Sequence, residues 1–276
     1  MTADQALRGL GRVVRTTRCA AATSSPLDEV DLVRRDGSEL RLLVKHLDGP
    51  HIGKPEFLRN PAREIDAYWL LAGENLGTPR CYASGRWWLA LERLEGAPLW
   101  QQGDVGCWQG TARWAARLHD RFRGRQVAAS LLRHDDCFYR RWFSRARTIV
   151  GIELETLRQP TETAISRLVR LPRTLIHGEL YPSNVLIDGG RVAAVDWEMA
   201  ASGPGVIDLA AVITGWDADR REAIIDAFGA VDRVDLAAAQ LVLALQWLGW
   251  AADWEPPTAH RRDWLAEAHS AAGALT

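Results

Sequence analysis

Residues 177–198, HGELYPSNVLIDGGRVAAVDWE, constrain the fold more than any other stretch of the chain. Gly178 and Pro182 make a turn that sets a carboxylate, Glu179, and a carboxamide, Asn184, five residues apart. Strand-like Val185-Leu186-Ile187 follows at once. The tight turn Asp188-Gly189-Gly190 then reverses the chain, and a second strand over 191–195 delivers Asp196. Such a hairpin brings Asn184 and Asp196 into one neighbourhood. Their oxygen atoms suit Mg²⁺, which binds through few protein groups and leaves its other positions to water and phosphate oxygens. Glu179 is then placed to accept a proton.

Around this hairpin the pattern changes character once. Residues 29–35 and 40–46 read as strands joined by the turn Asp36-Gly37-Ser38. Residues 61–73 have apolar positions at 62, 65, 69 and 70, with Pro at the start and Gly at the end, and predict an amphipathic helix. Strands follow at 80–83 and 87–91 about Ser84-Gly85. Beyond Glu95-Gly96-Ala97-Pro98 helices predominate, at 106–122, 137–148, 161–168, 218–228, 236–252 and 261–272, with one β-rich stretch at 174–194. The organisation expected is α+β: a small β-rich lobe over 1–94, then a larger, mainly helical lobe over 95–276.

Lysine usage singles out a residue of the first lobe. The chain has two lysines against 32 arginines, and one of them, Lys45, lies in the apolar strand LRLLVKHL. A lysine kept there supplies a compact point charge, which grips phosphate oxygens differently from the planar guanidinium. The other, Lys54, falls in the polar loop HIGKPE and is expected to matter far less. Residues 1–150 carry 24 basic and 17 acidic side chains and residues 151–276 carry 10 and 18, so the first half suits a polyanion and the second a metal ion or cationic acceptor.

Other features narrow the class. The four cysteines form no CxxC pair, which points away from a zinc site or disulfide framework and toward a reducing cytoplasm. The N-terminal residues lack an apolar core of signal-peptide length. The uncharged run 236–252 contains Gln240 and Gln246, falls short of the ~20 apolar residues of a membrane span, and reads as a buried core helix. Neither a membrane nor a nucleic-acid partner is expected.

The stretch HGELYPSN followed by VDWE resembles the HGDxxxxN motif and metal-binding Asp of aminoglycoside phosphotransferases, choline kinases and fructosamine kinases, and more distantly the HRDxxxxN and DFG elements of protein kinases. The resemblance implies a bilobal, protein-kinase-like fold and an ATP- and Mg²⁺-dependent transfer to a hydroxyl of a small molecule. It assigns the catalytic-carboxylate position to Glu179, a loop-buttressing position to His177 and Mg²⁺ positions to Asn184 and Asp196. Lys45 takes the phosphate-gripping position, with Glu64 of AREIDAYWLL as its partner, and Asp208 in VIDLA braces the catalytic loop. Glu92 and Leu94, in LALERLEG, fall in the interlobe hinge that meets adenine through backbone groups. His119 in AARLHD has a structural place.

Two departures stand out. The loop over 21–29 has no glycine-rich signature, so phosphate contacts there would fall to backbone N–H groups and to Thr23, Ser24 and Ser25. Glu179 also replaces the usual Asp, a side chain longer by one methylene, roughly 1.5 Å. A shifted loop, slower chemistry, or a nucleotide-binding pseudokinase acting through partner proteins would each account for it. The acceptor stays open among a hydroxylated antibiotic, an amino sugar, a natural product and a related metabolite. Ten arginines against three acids over 113–147 make an unpromising wall for a polycation, the acids at 217, 219, 253 and 255 suit a cationic pocket, and Trp216, Trp247, Trp250 and Trp254 suit either core packing or stacking on a ring.

Overall fold

The computed structural model describes residues 2–19, 25–49, 54–253 and 261–275. The first element, α1 (Ala3–Leu10), is fixed by a capping box in which the Gln5 N–H donates to the Thr2 hydroxyl and the Thr2 N–H to the Gln5 side chain. Strands β1 (Arg12–Arg18), β2 (Leu27–Val33) and β3 (Glu39–His46) follow, then helix α2 (Pro61–Leu71), then β4 (Cys81–Gly85) and β5 (Trp88–Glu92). They form one antiparallel sheet in the order β1-β2-β3-β5-β4. The expected hairpin is present in the register Val33↔Glu39 to Leu27↔Lys45, with Asp36 accepting from the Ser38 N–H and hydroxyl in the turn. The sequence expectation did not include α1 or β1. The strand is exposed along its whole length and has no alternation to reveal it.

Strand alternation sorts the side chains of β3 between two faces. Leu40, Leu42 and Val44 join Ala6, Leu7, Val30, Leu32, Trp88 and Ala90 in a small core beneath α1. Lys45 points the opposite way, toward α2. That helix starts as the sequence indicates: Asn60 caps it by accepting from the Ala62 N–H, and Pro61 occupies its first position.

The rest of the chain forms β6 (Ala97–Pro98), α3 (Val105–Phe122), β7 (Leu132–Arg133), α4 (Asp136–Val150), α5 (Arg158–Leu168), β8 (Arg173–Ile176), β9 (Val185–Asp188), β10 (Arg191–Ala194), β11 (Ala201–Pro204), α6 (Val206–Val212), α7 (Ala218–Phe228), α8 (Arg233–Trp250) and α9 (Trp264–Gly273). The six expected helices are all there, displaced by up to three residues at their ends, and α6 is an addition. Aspartates cap most of them: Asp104, Asp135, Asp217, Asp232 and Asp263 each accept from a first-turn N–H. Helix α8 is buried nearly all round and packs on α4, α5, α6 and α9. Among the described residues no helix is long and apolar enough to cross a membrane. This is the expected α+β architecture, a β-rich N-terminal lobe on a helical C-terminal lobe.

One arginine ties the two lobes together. Arg191, in β10, donates from Nε to the Gly77 carbonyl at 2.8 Å, from Nη2 to the Thr78 carbonyl at 3.0 Å, and from both Nη atoms to the Glu92 carboxylate at 2.8 and 2.9 Å. Glu92 also accepts from the Arg80 N–H. The four cysteines are unpaired.

Candidate active site

The polar loop after β8 is held from below by one buried carboxylate. Asp208 sits in the first turn of α6 with no exposed surface. It accepts at Oδ2 from the His177 N–H and from His119 Nε2, and at Oδ1 from the Gly178 N–H, each at 2.9 Å. Burial would raise its pKa, but these donors and the two imidazoles hold it below the ordinary value. Gly178 is obligatory here: its φ is +82°, and a Cβ would lie 2.4 Å from the Met199 carbonyl oxygen. His177 spends both ring nitrogens on the loop, one bonded to the Val195 carbonyl at 2.9 Å and the other accepting from the Glu179 N–H at 3.3 Å. Burial pushes its pKa down, so the ring is a neutral brace, and His119 is structural too.

The hairpin does what its spacing implies. Val185 to Asp188 pairs with Arg191 to Ala194, and the Val195 N–H donates to the Asn184 carbonyl at 2.9 Å. The Asn184 side chain is oriented by donating to the Glu179 carbonyl at 3.0 Å. Asp196 then takes the left-handed conformation, φ 64° and ψ 63°, which is uncommon for a residue with a side chain and concentrates at functional sites.

Opposite the hairpin stands Lys45. Its ammonium lies 2.9 Å from Glu64 and 2.6 Å from Asp196, so one lysine joins strand β3, helix α2 and the loop after β10. Burial alone would depress its pKa, but the carboxylates of Asp196, Glu64 and Glu198 outweigh this and raise it. Glu64, 2% exposed, is pushed by burial up to about 7 despite the lysine. Asp196 shows the reverse balance, with Lys45 and Lys54 overcoming burial to lower its pKa. Oxygen atoms of Glu64, Asp196 and Glu198 lie within 4.8 Å of one another, a donor set of the hard kind that Mg²⁺ prefers.

Glu179 borders this cluster, partly buried. Desolvation, then the neighbouring Glu198 and Asp196, raise its pKa well above that of a free glutamate, while Lys54 and the nearby Gln246 amide oppose the rise. Gln246 belongs to α8 and is itself 3% exposed.

Several expectations need correction. Lys54 is no remote loop residue: it pairs with Glu198 inside the cleft. The Glu92 side chain is committed to Arg191 and its N–H to the Arg80 carbonyl, whereas Leu94 lies between β5 and β6, outside the strand ladders. Ser25 lines a small cavity with Lys54, Glu64 and Glu198, whereas Thr23 and Ser24 lie outside the described residues. Two of the acids suited to a cationic pocket have partners of their own: Asp217 caps α7 and pairs with Arg220, and Asp253 pairs with Arg145, while Asp219 is exposed. Residues 254 and 255 lie outside the described range. The tryptophans pack mostly on one another: Trp108 on Trp216, Trp142 on Trp250, and Trp247 on Trp264, with the Trp247 indole N–H donating to the Tyr181 hydroxyl at 2.6 Å.

Glu198, Gln246 and Arg63 were not singled out by sequence reasoning. Arg63, buried in α2, donates to the Leu58 and Glu198 carbonyls. Glu198 stood in the VDWE stretch and Gln246 was the one polar residue in the last turns of an apolar helix, so both left a signal. Arg63, one arginine among 32, left none.

A β-rich lobe, a helical lobe, and a lysine bridging a helix carboxylate and a hairpin carboxylate in the cleft between them define the class of kinase-like phosphotransferases. Residues 31–242 match the phosphotransferase enzyme family, and the chain belongs to it. No curated protein matches the chain. Among solved structures it is similar to the choline kinase LicA from Streptococcus pneumoniae at 16% identity, covering 99% of this chain and 96% of that one with a TM-score of 0.72. A LicA structure in complex with AMP aligns at 0.62, with 15% identity over 95% of this chain and 91% of that one. The macrolide 2′-phosphotransferase MphH from Brachybacterium faecium aligns at 0.65, with 20% identity over 99% and 96%. Plasmodium vivax ethanolamine kinase aligns at 0.67, with 15% identity over 95% and 81%. Identities this low establish the shared fold.

Proposed function

We propose that the protein transfers the γ-phosphoryl group of ATP to a hydroxyl of a small molecule. The observation that carries this reading is Lys45 held between Glu64 and Asp196, because it joins a phosphate-binding cation to a metal-binding carboxylate. Residues 1–94 would hold the nucleotide, with Leu94 offering backbone groups to adenine and Ser25 near the phosphates, and residues 95–276 would hold the acceptor. The family model and the AMP complex of LicA support the nucleotide assignment. The unpaired cysteines support a reducing, cytoplasmic setting.

Asn184 and Asp196 would hold Mg²⁺, which fits their hard oxygen donors and supplies charge neutralisation on the triphosphate when bound. Lys45, fixed by Glu64, grips the α- and β-phosphates. Glu179 takes the proton of the acceptor hydroxyl as its oxygen bonds to phosphorus, the bond to the bridging oxygen breaks, and the electron pair leaves with ADP. The raised pKa makes Glu179 more basic than a free glutamate. The carboxylate stands beside the Lys45–Glu64–Asp196 cluster with the Gln246 amide nearby, which supports an active enzyme over a pseudokinase.

Asp217 and Asp253 being already paired, the reading does not favour a polycationic acceptor. Incubating the protein with ATP, Mg²⁺ and panels of hydroxylated antibiotics, amino sugars and related metabolites, with mass spectrometry for one added phosphate, tests it. Failure to bind ATP or ADP at all would remove it.

A further inference from the structure

The chain has 32 arginines and two lysines, and both lysines enter the same cleft. The second is built into place. Lys54 precedes the short 3₁₀ turn Glu56–Leu58, and its carbonyl accepts from Arg59 Nε and Nη2 at 3.1 and 2.9 Å. Its side chain, 11% exposed, pairs with Glu198, whose own carbonyl is held by Arg63 at 2.8 Å. Two arginines thus fix the backbone at both ends of this ion pair. Glu198 in turn belongs to the carboxylate cluster with Glu64 and Asp196, and Lys54 lines one small cavity with Ser25, Glu64 and Glu198, so the ammonium stands beside the carboxylate proposed to hold the metal.

Resting on the phosphotransferase reading, we propose that Lys54 is a second phosphate-binding cation, specific for the γ-phosphate of ATP. Lys45 is engaged deeper, between Glu64 and Asp196, and serves the phosphates that remain on ADP. In the nucleotide-free protein Lys54 rests on Glu198, and the γ-phosphate oxygens take over from that carboxylate as its partner. During transfer the acceptor oxygen bonds to phosphorus, the bridging oxygen departs with its electron pair on ADP, and the acceptor proton goes to Glu179. Lys54 keeps its own protons and neutralises charge on the three oxygens of the group in transit, the part of this reaction in which electrostatics matters most. A flexible ammonium follows a moving phosphoryl group more readily than a rigid guanidinium does. An arginine-rich chain that keeps lysine here is consistent with that demand.

The alternative is that Lys54–Glu198 is only a tie between lobes. Calorimetric titration separates the two without an identified acceptor, using the full chain in Mg²⁺ with ADP and with the non-hydrolysable β,γ-imido analogue of ATP. Lys54→Met should weaken the analogue by about 10- to 100-fold, the worth of a charged hydrogen bond, and change ADP affinity less than twofold. Lys45→Met should weaken both nucleotides, and Lys54→Arg should recover part of the loss for the analogue. If Lys54→Met does not fold, Lys54→Gln, which keeps much of the length and a donor for Glu198, reads the same difference. Equal losses for both nucleotides, or none for either, would overturn the role of Lys54 and leave the kinase reading intact. A wild-type protein that binds neither nucleotide would overturn both.

Discussion

Asp208→Asn tests the geometry of the loop most directly, because it changes one atom in a site without exposed surface. Its two oxygens serve three donors: Oδ2 those of His177 and His119, Oδ1 that of Gly178. The asparagine amide best keeps its single oxygen at the Oδ2 place, where it serves two donors. Its NH₂ then faces the Gly178 N–H, donor against donor. An orphaned buried donor costs about 1–3 kcal/mol, and the two surviving bonds lose their charge assistance, each dropping from roughly 1.5–3 to 0.5–1.5 kcal/mol. Coupled bonds are not additive, so the expected net loss is about 3–5 kcal/mol, a large part of the roughly 5–15 kcal/mol that holds a domain folded. Urea unfolding at fixed denaturant slope measures it. Because the same donors set the position of Glu179, a displacement of about 1 Å should also slow phosphoryl transfer by on the order of 100-fold. A variant within about 0.5 kcal/mol of wild type and unimpaired in transfer would refute the claim that Asp208 shapes the loop.

Glu179→Asp should slow transfer although it restores the residue usual in the family, because the shorter carboxylate withdraws from a site fitted to the longer one. Glu179→Gln should lose more, about 10²–10⁴-fold, and unchanged rates in both would remove the base from the mechanism. Gln246→Leu should lower kcat with little change in KM for ATP, and its effect should vanish in a Glu179→Asp background. Full additivity of the two losses would mean that they do not cooperate. Asp196→Ala should abolish Mg²⁺-dependent transfer while the protein stays folded by circular dichroism, and wild-type rates would take Asp196 out of the site. His134 is buried with neither ring nitrogen bonded, and burial holds its pKa at about 3. The unfolded chain binds a proton that the folded one refuses, so this residue's contribution is complete above about pH 6.5 and is withdrawn as pH falls toward 3. Between pH 7 and 4.5 the wild type should lose about 3 kcal/mol more stability than His134→Leu, and equal acid losses in urea melts would contradict the assignment.

Much of this site was legible because its residues lie close in sequence. The stretch 177–198 encodes its own hairpin through Asp188-Gly189-Gly190, so spacing alone brought Asn184 and Asp196 together. The Lys45–Glu64 pair was legible from strand and helix periodicity. What escaped depends on distant packing. Gln246 meets Glu179 only because α8 is buried against the catalytic loop's side of the lobe, and Arg63 is distinguished from 31 other arginines only by where α2 rests. Lys54 misled by its neighbours: a Gly-, Pro- and His-containing loop reads as solvent-exposed, yet Arg59 and Arg63 draw it inward. The partners of Asp217 and Asp253 were hidden for a related reason, since helix capping and an arginine that engage them are set by packing rather than by local sequence. Strand β1, with every residue exposed, carried no alternation to read.

Arg191 gives the lobes a fulcrum. It engages four oxygens of the N-terminal lobe, two of them backbone carbonyls in the turn ahead of β4 and two on the carboxylate that ends β5, while Lys45 and Lys54 cross between the lobes elsewhere. An opening that spares Arg191, together with the Glu74 pairs to Arg121 and Arg125 that also cross between the lobes, is a swing about that side of the cleft. In a swing, travel grows with distance from the pivot, so a few degrees that barely disturb β10 are magnified at the lysine crossings. Because β10 runs directly into Asp196, the strand that anchors the pivot also carries the carboxylate that meets Lys45, and the β-rich lobe turns about a point fixed to the helical one.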